Sequence, residues 1–187
     1  KNYKIRKIRR SENNIRIAIG SNDDYLDYDH IVLACHANES LALLEEPTIE
    51  EKSILSKFQY VTNTAFLHTD EQLMPVNKLA WSSWNSISKK DLTNTCVTYW
   101  LNLLQNLNTD KNYFLTLNPI QNIEDKKIIK RIIFTHPYFN LENTKLQKSL
   151  KLLQGVRRTW FCGSYFGYGF HEDGLKSSLD MFNQFKI

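Results

Sequence analysis

The sequence predicts an α/β protein that is α+β over this stretch of chain, and three observations carry that reading. Strands dominate both the first 36 residues and the middle of the chain, as short apolar or alternating runs separated by polar turns. Five of those runs lie between Gln59 and His136 and are joined by polar loops, which implies an antiparallel sheet. Four of the six glycines then cluster between Gly163 and Gly174, between an apolar strand and a helical pattern.

The first 36 residues read as a β-meander. A strand is expected around Tyr3 to Arg9, a turn at Ser11-Glu12-Asn13-Asn14, and a strand over Ile15 to Gly20, where Ile15-Arg16-Ile17-Ala18-Ile19 alternates in the manner of a half-buried strand. A polar turn at Ser21-Asn22-Asp23-Asp24 leads to Ile31-Val32-Leu33-Ala34, an uninterrupted aliphatic run of the kind found in a central strand covered on both faces.

The middle, residues 37–155, opens with helices expected over Ser40 to Leu44 and Thr48 to Lys57. The second begins with Thr48-Ile49-Glu50-Glu51, a capping box after Pro47. Strands are expected at Gln59 to His68, Leu79 to Trp84, Thr95 to Leu101, Tyr113 to Leu117 and Lys130 to His136, the last two ended by Pro119 and Pro137. A helix from Glu142 to Leu153 places Leu146, Leu150 and Leu153 on one face, with Gly155 as its C-terminal stop. A closing helix is expected from Gly174 to Phe185.

Composition bounds the function classes. The 187 residues are 42% hydrophobic and 24% charged, enough for one or two units with real cores, and no apolar run approaches a membrane span. No signal peptide is visible, so a cytoplasmic location is expected. Cys35, Cys96 and Cys162 are odd in number and widely spaced, which indicates neither a disulfide framework nor a zinc site. The net charge of +4 is local. Lys1, Lys4, Arg6, Lys7, Arg9 and Arg10 fall in the first ten residues, and the remainder carries 18 basic against 20 acidic residues. A nucleic-acid-binding arm is one reading of that cluster, but isoleucines interleave the charges and favour a solvated strand face.

The stretch Phe161-Cys162-Gly163-Ser164 followed by Gly169-Phe170-His171-Glu172-Asp173-Gly174 carries the chemistry. Glycine admits positive φ and removes the Cβ that would hold a ligand away, and the first turn of the helix offers unpaired N–H groups. Spacing alone fits equally a glycine-rich turn between a core strand and a surface helix. As a unit, however, the segment resembles the last flavin-binding segment of the FAD-dependent amine oxidase and phytoene desaturase superfamily. Asp29-His30-Ile31-Val32-Leu33-Ala34-Cys35-His36, Trp160-Phe161-Cys162-Gly163 and Gly167 to Leu175 are closer still to a bacterial branch of NAD/FAD-binding oxidoreductases. The similarity runs from about Ile5 to Leu179 and covers only the C-terminal part of such a protein.

That resemblance implies an FAD-binding fold with an antiparallel-sheet substrate region, divided as 1–36, 37–155 and 156–187. It implies FAD as cofactor, contacted by Ile5 through its backbone, by Ala34, and by Gly163, Ser164, Gly169, Phe170 and His171, the last through its backbone N–H. It further implies a flavin-dependent oxidoreductase acting on a C–N or C–C bond of a small or lipid-like substrate. The Gly-x-Gly-x-x-Gly fingerprint that opens such proteins is missing, since Gly20 is the only glycine before Gly155. The chain is therefore expected to be inactive by itself and to need a nucleotide-binding half as its partner. A remnant of the fold without cofactor is the alternative.

Other chemistry is weaker. Neighbours on a strand, such as Cys35 and His36, point to opposite faces and cannot form a dyad there. His171, Glu172 and Asp173 with His136 or His68 show no metal-site spacing. Trp160 and Phe161 are candidates to line the flavin, and Lys78 is the nearest match to the lysine that bonds flavin through water in amine oxidases. Trp81, Trp84, Tyr99, Trp100, Tyr113, Phe114, Phe134, Tyr138 and Phe139 read as core packing before they read as a substrate cage.

Overall fold

The computed structural model describes residues 3–20, 24–88 and 95–185. The elements begin with β1 (Ile5–Arg10), β2 (Ile15–Ile19), β3 (Asp24–Tyr28), β4 (Ile31–Leu33), α1 (Ala37–Leu43), α2 (Ile49–Leu55) and β5 (Gln59–His68). They continue with β6 (Trp84–Ser88), β7 (Thr95–Trp100), α3 (Leu101–Leu104), β8 (Phe114–Leu117), β9 (Ile128–Tyr138), α4 (Leu141–Leu146), β10 (Thr159–Phe161) and α5 (His171–Gln184). Of the expected turn at Ser21 to Asp24, only Asp24 lies within the described residues.

The chain forms two compact units, residues 1–60 with 137–187, and residues 61–136. Packing draws these limits, so α1, α2 and α4 fall with the meander, whereas the functional division expected from the sequence cuts at 36/37 and 155/156.

In the first unit, β1, β2 and β3 form an antiparallel meander, and β4 pairs in parallel with β10, Ile31 opposite Thr159 and Leu33 opposite Phe161. Ile8, Ile15, Leu33, Leu55, Leu150 and Phe161 build the core. The strand β3 was not apparent in the sequence because four of its five residues are exposed, so it shows no apolar face. In this chain β4 is covered on one face, where a strand covered on both was expected. Leu33 is buried but Val32, which points the other way, is 45% exposed, and among the described residues β4 has one strand neighbour.

The capping box is present and does more than cap. The Glu51 carboxylate accepts the Thr48 N–H at 2.7 Å, while the Thr48 hydroxyl accepts the Glu51 N–H at 3.1 Å. The same carboxylate takes two bonds from the Arg10 guanidinium, at 2.5 and 2.7 Å, and Arg10 also donates to Thr159 Oγ1 and the Glu46 carbonyl. This pair is buried, with side-chain exposures of 1% and 0%. It ties β1, α2 and β10 together. On the outer side of β1, Arg9 bonds Glu45 at 2.7 Å, and that hydrogen bond raises the arginine and lowers the glutamate from their usual values. The basic segment is thus a strand whose arginines at 9 and 10 are held by carboxylates.

The helix expected over 142–153 is split. Beyond α4 the chain tightens into a 3₁₀ stretch over Gln147–Leu153, which aligns residues three apart and so stacks the buried Leu150 and Leu153. Gly155 follows at φ 76, and a Cβ there would lie 3.1 Å from the Trp160 ring.

The second unit holds most of a five-stranded sheet of order β6-β7-β8-β5-β9, antiparallel in the β6–β7, β7–β8 and β5–β8 pairs. The strand expected at Leu79 to Trp84 is replaced by a 3₁₀ turn at Lys78–Ala80, with β6 starting at Trp84. Asn77 Oδ1 captures the Leu79 N–H at 3.0 Å and Trp81 Nε1 donates to the Pro75 carbonyl, local bonds that compete with a ladder. Pro137 does not end β9, which runs to Tyr138. It lies on the edge of the sheet, where a missing N–H is tolerated.

One face of this sheet buries His68, Thr98 and Thr116. The Asp70 backbone N–H donates to His68 Nδ1 at 3.1 Å, so the ring proton is on Nε2 and is given to Thr116 Oγ1 at 2.7 Å. Burial pushes the imidazole below its ordinary value. Burial raises Asp70, but the N–H groups of Glu124 and Gln72 and the Lys127 ammonium outweigh it and leave the carboxyl low. Both groups bind fewer protons folded than unfolded in the window between their two values. The stability these two groups contribute is therefore complete above about pH 6.5, falls as His68 is forced to charge, and falls again below about pH 4 with Asp70. Thermal melts should show a lower Tm at about pH 5 than at about pH 7, and His68→Gln should flatten that difference.

Candidate functional site

The strand β10 ends at Phe161, and the chain then turns through Cys162 and Gly163 into a 3₁₀ turn at Ser164–Phe166 before reaching α5. Gly163 and Gly169 adopt φ 149 and φ 92, the second firmly in the region that favours glycine. The Ser164 carbonyl accepts from both Gly167 and Gly169 N–H groups, which curls the loop. Asp173, in the first turn of α5, accepts the N–H groups of Tyr168 and Phe170, each at 3.0 Å. A Cβ at Gly167 would collide with that carboxylate. The buried Ser177 fastens the other side, its hydroxyl accepting from Gly163 N–H at 2.9 Å and donating to the Gly174 carbonyl at 2.8 Å.

The loop encloses a depression of about 370 Å³ at the N-terminal end of α5. Ala34, Gly163, Ser164, Gly169, Phe170 and His171 all line it, joined by Cys162, Gly174, Leu175 and Ser178. Six of the seven residues named from the sequence are thus brought together. Ile5 is not among them; it opens β1, opposite Ile19 and beside an irregularity in the register, and is 37% exposed.

One position leaves the depression open. Gly174 lies in helix and meets only Ser164 N, at 3.9 Å, where a Cβ would stand, so a side chain there would enter the open space. By contrast, a Cβ on Gly169 would meet the Phe139 ring at 3.0 Å. Gly169 is therefore required by packing and by its φ, rather than by approach to the depression. The first-turn amides of a 14-residue helix add the positive end of its dipole.

Other sequence candidates are placed elsewhere. Trp160 and Phe161 are 7% and 0% exposed; Trp160 packs edge-on to Phe185 and donates to His30, and Phe161 belongs to the core, so neither lines the depression. The Cys35 thiol contacts Ser40 Oγ at 3.2 Å, while His36 stacks on Tyr60 at 4.4 Å. Burial pushes the Tyr60 hydroxyl up to about 12 as it accepts the Ala37 N–H. Lys78 pairs with Glu71 at 2.8 Å and lies over Trp81. Trp81 packs edge-on against Trp100 and Phe114, as a core aromatic does. No metal-binding group of three or more His, Cys, Asp or Glu occurs among the described residues. Asp173 and Ser177 were not named as site residues, although an acid three residues after Phe170 is half of a capping box and was a usable signal.

No family model and no curated protein matches the sequence. Solved structures do match the whole chain. A conjugated-linoleic-acid-producing fatty acid isomerase from P. acnes aligns with all of it at TM-score 0.67 and 14% identity, over 48% of that protein. The chain has the fold of about half of that protein. Cyclohexylamine oxidase from Brevibacterium oxydans aligns over 97% of the chain and 48% of its own length, at TM-score 0.54 and 9% identity. A protoporphyrinogen oxidase homologue from Exiguobacterium aligns over 97% and 46%, at TM-score 0.58 and 11% identity. The chain spans about half the length of these proteins, consistent with the similarity to a C-terminal portion. Among the described residues, no helix is long and apolar enough to cross a membrane.

Proposed function

We propose that this chain supplies the flavin-facing part of an FAD-dependent oxidoreductase of the amine oxidase type, in which bound FAD takes a hydride from a C–N or C–C bond of a small or lipid-like substrate. The observation that supports it most is the gathering of Ala34, Gly163, Ser164, Gly169, Phe170 and His171 around one depression at a helix N-terminus. In this reading Gly163, Ser164 and the backbone of Gly169 to His171 hold the cofactor, Gly174 leaves room for it, and Leu175 and Phe170 keep water from its edge. Ile5, which lies outside the depression, is assigned to the adenine end through its backbone.

The nucleotide-binding half is the expected partner, because the pyrophosphate of FAD is held on the first helix of a βαβ unit. Exposed Val32 on β4 is consistent with a layer to be covered by that half. The nucleic-acid reading is disfavoured by Arg10, which is buried on Glu51.

The variant Gly174→Leu, made in the chain reunited with a nucleotide-binding half, tests the site. Its added side chain would occupy the depression from a helical position that leucine favours, so the fold should persist while FAD affinity falls by at least about a hundredfold, as for lost pocket complementarity. His171→Ala should change affinity little, since its contribution is expected from the backbone N–H. Undiminished flavin content in Gly174→Leu, with His171→Ala reducing it, would move the cofactor out of the depression.

A further inference from the structure

The second unit carries a histidine whose proton position is dictated by backbone groups. On β5, the Thr64 N–H donates to Asn118 Oδ1 at 2.9 Å, a contact only an oxygen can make. The Asn118 amide nitrogen is thereby turned to Asn63, whose Oδ1 receives it at 2.7 Å. That leaves Asn63 Nδ2 facing His136 Nδ1 at 2.8 Å. Asn63 Nδ2 also lies 3.5 Å from the Val61 carbonyl, which can only accept. A backbone donor at one end and a backbone acceptor at the other fix both amides, so His136 accepts at Nδ1 and its ring proton sits on Nε2. Asn118 holds its place at φ 48, a left-handed backbone that asparagine tolerates, and its own N–H returns to the Thr64 carbonyl at 2.8 Å.

Among the described residues no partner meets His136 Nε2, and the side chain is exposed. Beyond the two amides, the exposed side chains beside it include apolar ones. Alternation along β5 puts Val61, 44% exposed, on the face of Asn63, where Ala65 is buried, and Phe134, 40% exposed, shares the face of His136 with ring centroids 6.0 Å apart. The strand register carries that face on to Leu117 and Val97.

We propose that His136 anchors a ligand: its fixed Nε2–H binds the carboxylate or carbonyl oxygen of an otherwise apolar molecule lying along this face of the sheet. A neutral imidazole presenting N–H complements an oxygen acceptor and opposes an ammonium group, which offers only donors. The inference rests on the oxidoreductase reading for its purpose, and it narrows the substrate to the lipid-like class. Its first readout needs no flavin.

In protein labelled with 15N-histidine, His136, assigned through His136→Gln, should carry its proton on Nε2. Asn63→Asp replaces the donor by an acceptor and should move the proton to Nδ1. Titration with decanoate, methyl decanoate and decylamine then reads the ligand chemistry. His136→Phe keeps the aromatic surface and should weaken decanoate by about tenfold or more, leaving decylamine unchanged. Asn63→Asp should weaken it similarly, and His136→Gln should restore much of it. A weaker response with methyl decanoate than with decanoate identifies the carboxylate as the group bound. Flavin content, read by visible absorbance of the same variants reunited with a nucleotide-binding half and FAD, should not differ between wild type and the His136 variants; its absence from all of those reunited samples would count against the oxidoreductase reading alone. A His136 protonated on Nδ1 in the wild type, or equal decanoate affinity in wild type and His136→Phe, overturns the anchor.

Discussion

Glu51→Ala is expected to destabilise the first unit by about 3–5 kcal/mol, because it leaves a buried guanidinium without its counter-ion. Arg10 and Glu51 have side-chain exposures of 1% and 0%, so no solvent replaces the lost carboxylate. The change also removes the acceptor for the Thr48 N–H at the start of α2, adding the smaller loss of a cap. For a domain whose total stability is typically about 5–15 kcal/mol, that is a large share. Urea unfolding should show the midpoint falling sharply. Replacing both partners, Arg10→Met with Glu51→Leu, should recover most of the loss, since an apolar pair of similar volume leaves no charge behind. A loss below about 1 kcal/mol in the single variant would place the pair with ordinary exposed ion pairs.

The glycine loop and the meander were legible because each is a local signal. Capping at Thr48, alternation over Ile15 to Ile19 and the Gly163 to Gly174 spacing all act within a few residues of chain. The role proposed for the loop came from resemblance, since spacing alone fitted a plain turn equally well. What escaped was decided by distant partners. Arg10 read as one of six clustered cations, and only its meeting with Glu51 makes it a buried one. Trp160 and Phe161 adjoin the loop in sequence, but β10 turns them into the core. Gly169 looked like a glycine spared for a ligand; the ring of Phe139, thirty residues away, is what its missing Cβ accommodates. Asn63 and Asn118 carry no signal in sequence, His136 drew notice there only as a metal candidate, and the three become a unit only through sheet pairing.

The chain by itself should associate in solution. Leu175, Leu179 and Phe182 stand at helical spacing along α5 and are 54–68% exposed, and Val32 adds to the apolar surface on β4. Isolated apolar residues are ordinary on a surface, but a stripe along one helix is a site of contact. Sedimentation velocity should show concentration-dependent oligomers, reduced when the nucleotide-binding half is supplied. A monomer at all concentrations, with the same α5 stripe, would argue that nothing needs to cover it.

The central claim is that this chain completes a flavin site that it cannot form by itself. The direct measurement is an FAD titration of the chain alone and of the chain reunited with its nucleotide-binding half, followed by quenching of flavin fluorescence. The account predicts little binding in the first case and a stoichiometric complex in the second, sensitive to Gly174→Leu. Tight one-to-one binding by the chain alone, or no binding by the reunited protein, would contradict it.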